Sequence, residues 1–186
     1  MIDLYDALLE RGALLRGHFR LSSGRHSDRF IQKFRILEHP PLVEAVAGEI
    51  AEAFRASNVT IVVSAAVGGI VLGYEVARAL GTDAIFVEKD AGVAKLRRSF
   101  RLKPDDRALI VEDVVTTGMS VREVLDVVRA AGATPVGVGV IVERAAADFG
   151  VPARALLKLP LESFEPDTCP QCAHGQPLTD PGSRRN

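Results

Sequence analysis

One stretch constrains this chain more than any other. Residues 107–132 read RALIVEDVVTTGMSVREVLDVVRAAG. Residues 108–111 form an apolar, branched run of strand length. Val121, Val124, Leu125 and Val128 then recur at helical spacing as far as Gly132, a residue suited to a helix C-cap. Between them stand two acids, Glu112 and Asp113, and a short turn, Val114-Val115-Thr116-Thr117-Gly118-Met119-Ser120. Strand, acid pair, polar turn and helix are the parts from which α/β proteins build anion sites. The first N–H groups of the helix are free and its dipole favours negative charge. Thr116, Thr117 and Ser120 add hydroxyl donors, and Gly118 allows close approach of backbone to ligand. Two carboxylates would repel a bare phosphate. They suit a ligand that also carries hydroxyls, or one that brings a divalent cation, and a phosphorylated ribose meets both conditions. The plainer reading is a buried strand ending in two exposed acids, with Ser120 as the N-cap. It accounts for strand and helix but not for the whole run 112–120.

The rest of the chain places this unit in a wider pattern. Strands are expected at 60–64, 84–87, 108–111, 135–142 and 155–159, and helices at 2–10, 42–56 and 70–80. Pro40-Pro41 opens the second of these helices, where proline is tolerated. Residues 14–32 read as two short strands around a turn at Ser22-Ser23-Gly24. Alternating strands and helices predict an α/β fold, with a mainly parallel sheet flanked by helices. Ligands of such sheets bind beyond the carboxyl ends of the strands. That edge carries the small-residue loop 65–69, the basic segment 88–101, the acid pair, and Glu143-Arg144. The chain's 186 residues suffice for one domain. A net charge of −1 argues against a broad nucleic-acid surface. There is no run long enough to cross a membrane, no signal-peptide pattern and no disulfide framework, so a cytoplasmic location is expected. Neither GxGxxG after a strand nor GxxxxGK[ST] occurs, which excludes a dinucleotide domain and a P-loop NTPase.

The run EDVVTTGMS resembles the phosphoribosyl-diphosphate (PRPP) signature of type I phosphoribosyltransferases, and the whole chain resembles the orotate phosphoribosyltransferases. The segment GHFRLSSGRHSDRFIQ is similar to the family's hood over the base pocket, through Phe19, Leu21, Ser23, Gly24, Ser27 and Phe30. The resemblance implies one phosphoribosyltransferase domain over 1–186, with a hood-forming segment at 1–35 and an irregular tail at 160–186. It implies that Glu112 and Asp113 hold the ribose hydroxyls, that Val114, Val115, Thr116, Thr117, Gly118, Met119 and Ser120 bind PRPP, and that residues 116–120 hold its 5′-phosphate. Lys89 aligns with a PRPP-binding lysine at the start of a basic, closing loop and joins Glu112 and Asp113 as a catalytic residue. Thr116, Arg144, Phe30 and Ile31 are implied at orotate. The implied reaction joins orotate to PRPP, giving orotidine 5′-monophosphate and diphosphate, in a homodimer with a shared active site. Mg²⁺ is bound mainly through PRPP.

The chain also departs from the family. Lysines found in many members are replaced by Ser22 and, in the diphosphate loop, by Gly68, so the segment 88–101 is the expected source of charge, with Lys95, Arg97 and Arg98 as candidates. These losses leave room for a PRPP-sensing regulator, and transfer to a purine base is a further alternative. In the tail, Cys169 and Cys172 form a CxxC, half of a zinc site by spacing. His18, His26, His39 and His174 share no ligand spacing in sequence, and no protein-bound metal is expected.

Overall fold

The computed structural model describes residues 3–21 and 23–181. In chain order the elements are α1 (Leu4–Glu10), β1 (Leu14–Arg20), β2 (His26–Ile31), α2 (Phe34–Leu37), α3 (Pro40–Ala53), β3 (Ile61–Ala65), α4 (Gly69–Leu80), β4 (Asp83–Asp90), β5 (Val93–Leu96), β6 (Arg107–Val115), α5 (Met119–Ala130), β7 (Thr134–Glu143), β8 (Ala153–Lys158) and α6 (Pro170–Ala173). Six strands make the main sheet in the order β5-β4-β3-β6-β7-β8. All neighbours are parallel except β4 and β5.

The apolar runs in the central strands follow from burial on both faces. On β6, Leu109 and Val111 join a core with α1, α3 and α4, while Ala108 and Ile110 join a second core with α5. On β3, Val62 faces the first core while Ile61 and Val63 face the second. Leu109, Ile110, Val62 and Val63 are fully buried. Each stabilises the fold by roughly 1.5–3 kcal/mol of transfer free energy. Among the described residues no helix is long and apolar enough to cross a membrane.

Two expectations need correction. First, β6 runs on through Glu112, Asp113, Val114 and Val115 before the turn begins. It pairs with β7 as far as Val115↔Glu143, so ladder bonds hold the acids in extended backbone. Second, the basic segment 88–101 folds largely as a β4–β5 hairpin. Two of its charges are paired within the segment, Lys95 with Asp90 at 3.4 Å and Arg98 with Glu88 at 2.9 Å. The tail is tied to the β1–β2 hairpin. Phe164 exchanges backbone hydrogen bonds with His26 at 2.8 and 2.9 Å, and Thr179 bridges to β1. Ser22, one of the absent-lysine positions, lies outside the described residues.

Candidate active site

Successive side chains on a strand face opposite sides, so Glu112 and Asp113 diverge. Glu112 lines a cavity of about 650 Å³, together with the turn and the first residues of α5. Asp113 points toward the loop before α4, where a β-carbon on Gly68 would collide with its carboxylate. Gly68 is therefore required for close approach rather than merely tolerated. Lys33, just before α2, reaches the same spot, its Nζ 3.0 Å from Asp113 Oδ2. Asp113 Oδ1 accepts from the Val114 N–H at 2.6 Å, whereas no aligned hydrogen bond reaches the buried Oδ2. On the other face, Glu112 Oε1 accepts from the Asp113 N–H at 3.0 Å. Burial first, and the Asp113 carboxylate second, push the Glu112 carboxyl up to about 8.

The turn is shaped for an anion. Gly118 has φ +76°, and a β-carbon there would meet Phe149 at 2.8 Å. It gives α5 no side-chain cap, which leaves first-turn N–H groups directed at the cavity. Thr116, Thr117 and Ser120 are exposed beside it. Arg122, which has no place in the sequence signature, braces the turn from behind. It donates to the Thr117 carbonyl at 2.7 Å and the Asp148 carbonyl at 3.2 Å.

Arg144 follows β7 and is fixed by its N–H, which donates to the Val115 carbonyl at 2.8 Å. Its half-buried side chain lines the cavity, and its buried Nε has no partner among the described residues. Burial lowers its pKa from the usual guanidinium value. The neighbouring Glu143 lies 3.8 Å from Lys158. The opposite wall comes from Leu21, Ser23 and Arg25 of the hairpin and from Leu161 and Ser163 of the tail.

Three sequence candidates stand elsewhere. Ile31 is packed in the first core. Phe30 lies against Phe19, ring centroids 5.9 Å apart. Neither lines the cavity, because β2 turns Ile31 inward and gives Phe30 an aromatic neighbour within the hairpin. Lys89, on β4, pairs with Glu123 at 2.9 Å and also lies off the cavity wall.

A family model described as Phosphoribosyl transferase domain matches residues 34–151. The curated orotate phosphoribosyltransferase of Desulforamulus reducens is 45% identical over 185 residues, covering 98% of this chain and 97% of that one. This chain belongs to the orotate phosphoribosyltransferase family. A second member, from Pelotomaculum thermopropionicum, is 48% identical over 176 residues, 94% of this chain and 93% of its own. Among solved structures, the orotate phosphoribosyltransferase of Aeropyrum pernix matches with a TM-score of 0.71 at 27% identity, covering 84% of this chain and 93% of that one. Within this type I phosphoribosyltransferase fold, the family signature 112–120 is the end of β6, its turn and the start of α5.

Proposed function

We propose that this chain transfers the phosphoribosyl group of PRPP to orotate, giving orotidine 5′-monophosphate and diphosphate, in pyrimidine nucleotide synthesis. The observation that carries the reading is one cavity walled by the open first turn of α5, Glu112 and Arg144. The 5′-phosphate sits on the N–H and hydroxyl donors of residues 116–120. Glu112, on the same wall, takes the ribose hydroxyls. Arg144 offers a fork of donors to the orotate carboxylate or carbonyl, which satisfies its unpartnered Nε. Across β6, Asp113 and the loop 65–69 receive the diphosphate end, and Lys33 supplies there the positive charge that Gly68 cannot. Carboxylate oxygens at Glu112 and Asp113 are the donor type that suits a hard cation held mainly by the substrate. Mg²⁺ in that place would neutralise charge on the departing diphosphate. The protein need not provide a nucleophile, since orotate nitrogen is one. It positions two substrates, and the hairpin and tail cover the base.

The reading includes a homodimer, supported by the exposed Val67, Val71 and Tyr74 beside the diphosphate loop. It includes a cytoplasmic location, for which two unpaired thiols speak. Mixing the protein with PRPP, Mg²⁺ and either orotate or a purine base tests the transfer, followed through orotate absorbance. Loss of absorbance with orotate alone is expected. Tight PRPP binding without any loss would instead identify a sensor. Asp113→Asn should lower kcat by about 10²-fold or more while shifting the melting temperature by only a few degrees. Unchanged turnover would remove Asp113 from the mechanism.

A further inference from the structure

The fold gathers four side chains that the sequence scatters over 154 positions, and the transfer reaction uses none of them. His18 lies on β1, His26 on β2, Cys169 just before α6 and Cys172 within it. Their ligand atoms all lie within 4.8 Å of one another. His18 Nε2 is 3.1 Å from His26 Nδ1, 3.5 Å from Cys169 Sγ and 3.6 Å from Cys172 Sγ, and Cys172 Sγ is 3.3 Å from His26 Nδ1. A single Nε2 lone pair accepts one hydrogen, so three groups converging on it are not explained by hydrogen bonding. The distances are those of ligands around one ion. Tetrahedral zinc with bonds of about 2.3 Å to sulfur and about 2.05 Å to nitrogen sets N–N edges near ~3.3 Å and S–N edges near ~3.6 Å.

Two further features point the same way. The ring of His18 is oriented from outside the cluster: its Nδ1–H donates to the Gln176 carbonyl at 2.9 Å, which frees Nε2 as a lone-pair donor. The β1–β2 register slips between Arg16 and Phe19. This irregularity buries both His18 and Phe19, neighbours that a regular strand would place on opposite faces. His18, His26 and Cys169 are 4%, 5% and 2% exposed. Two imidazoles and two thiols, closed to solvent on three of four sides, make the donor set of a structural zinc site.

We propose that His18, His26, Cys169 and Cys172 bind one zinc ion that staples the tail to the β1–β2 hairpin. Binding releases the two thiol protons to solvent, and two thiolates with Zn²⁺ leave the site neutral. The staple acts at the end of the hairpin that supplies Leu21, Ser23 and Arg25 to the cavity, while the tail supplies Leu161 and Ser163. The metal site itself does not depend on the transfer reading.

Tag-free protein purified without added metal should contain about one zinc per chain by elemental mass spectrometry. Cobalt added to stripped protein should give intense tetrahedral ligand-field bands and a thiolate charge-transfer band. Cys172→Ser should weaken cobalt binding at least ~10-fold. His174→Ala, outside the cluster, should leave binding unchanged. Limited proteolysis should cut the tail faster in stripped protein than in zinc-loaded protein. Stripped protein that binds cobalt no better than Cys172→Ser, or recovery of the two thiols as a disulfide from freshly purified protein, would overturn the site. Equal tail cleavage with and without zinc would overturn the staple.

Discussion

At the scale of single residues, the acid pair meets two different environments because a strand sends neighbouring side chains to opposite faces. Glu112 is buried beside a second carboxylate, and its folded pKa is raised from 4.5 to about 8. A raised carboxyl favours the folded state fully below its unfolded pKa. Between about pH 4.5 and about 8 the unfolded chain releases a proton that the folded one keeps, so stability falls as pH rises. Unliganded protein should therefore lose melting temperature across that window, and Glu112→Gln should flatten the fall. Parallel pH profiles of the two proteins in thermal unfolding would show it, and identical slopes would refute it. Lys33 is the residue that sequence reading missed. It stands 80 positions from Asp113, and no local pattern marks it. The missing charge was sought in 88–101, where Lys89, Lys95 and Arg98 are instead paired with Glu123, Asp90 and Glu88. Lys33→Ala should leave Asp113 buried without its cation and destabilise the fold by about 1–3 kcal/mol in urea unfolding. It should also raise the KM for PRPP.

At the scale of elements, what was legible depended on how local the cause was. The order of strands and helices could be read because each central strand is apolar on both faces and each helix repeats its own stripe. The turn could be read because a glycine stands at 118, and the structure demands it twice, by its left-handed backbone and by Phe149, which a β-carbon there would meet. Gly118→Ala should accordingly cost roughly 1–3 kcal/mol and weaken PRPP binding, read by denaturation and by titration. Full stability with normal binding would show that the turn relaxes freely. The β4–β5 hairpin was not legible. Strand β5 is a short edge whose residues alternate between exposed and half-buried, and its cross-strand charges look like a solvated loop. The hairpin–tail cluster was invisible for the opposite reason. It is built wholly from contacts between distant segments, and only the CxxC half has a spacing to notice.

For the whole molecule, α4 poses the problem of what covers its outer face. Inward it packs Leu72, Gly73 and Val76. Outward it shows Val71 at 48% and Tyr74 at 68% exposure, flanked by Val67 at 73%. A groove of about 600 Å³ between α3 and α4 continues this face past Pro40, Pro41 and Ile70. A helix apolar on both sides belongs in an interior, and here the single chain supplies only half of one. The face adjoins the loop 65–69, so a second copy placed there would bring the two diphosphate loops near the interface. That is the arrangement a shared active site needs. Tyr74→Glu would put a charge at the centre of this surface while touching neither core. Light scattering coupled to gel filtration should report a dimer for the parent chain and a monomer for the variant, with circular dichroism unchanged. Activity should fall with the dimer and recover in part at high protein concentration. A variant that stays dimeric would move the interface to another face. A folded monomer with full turnover would show that each chain completes its own site.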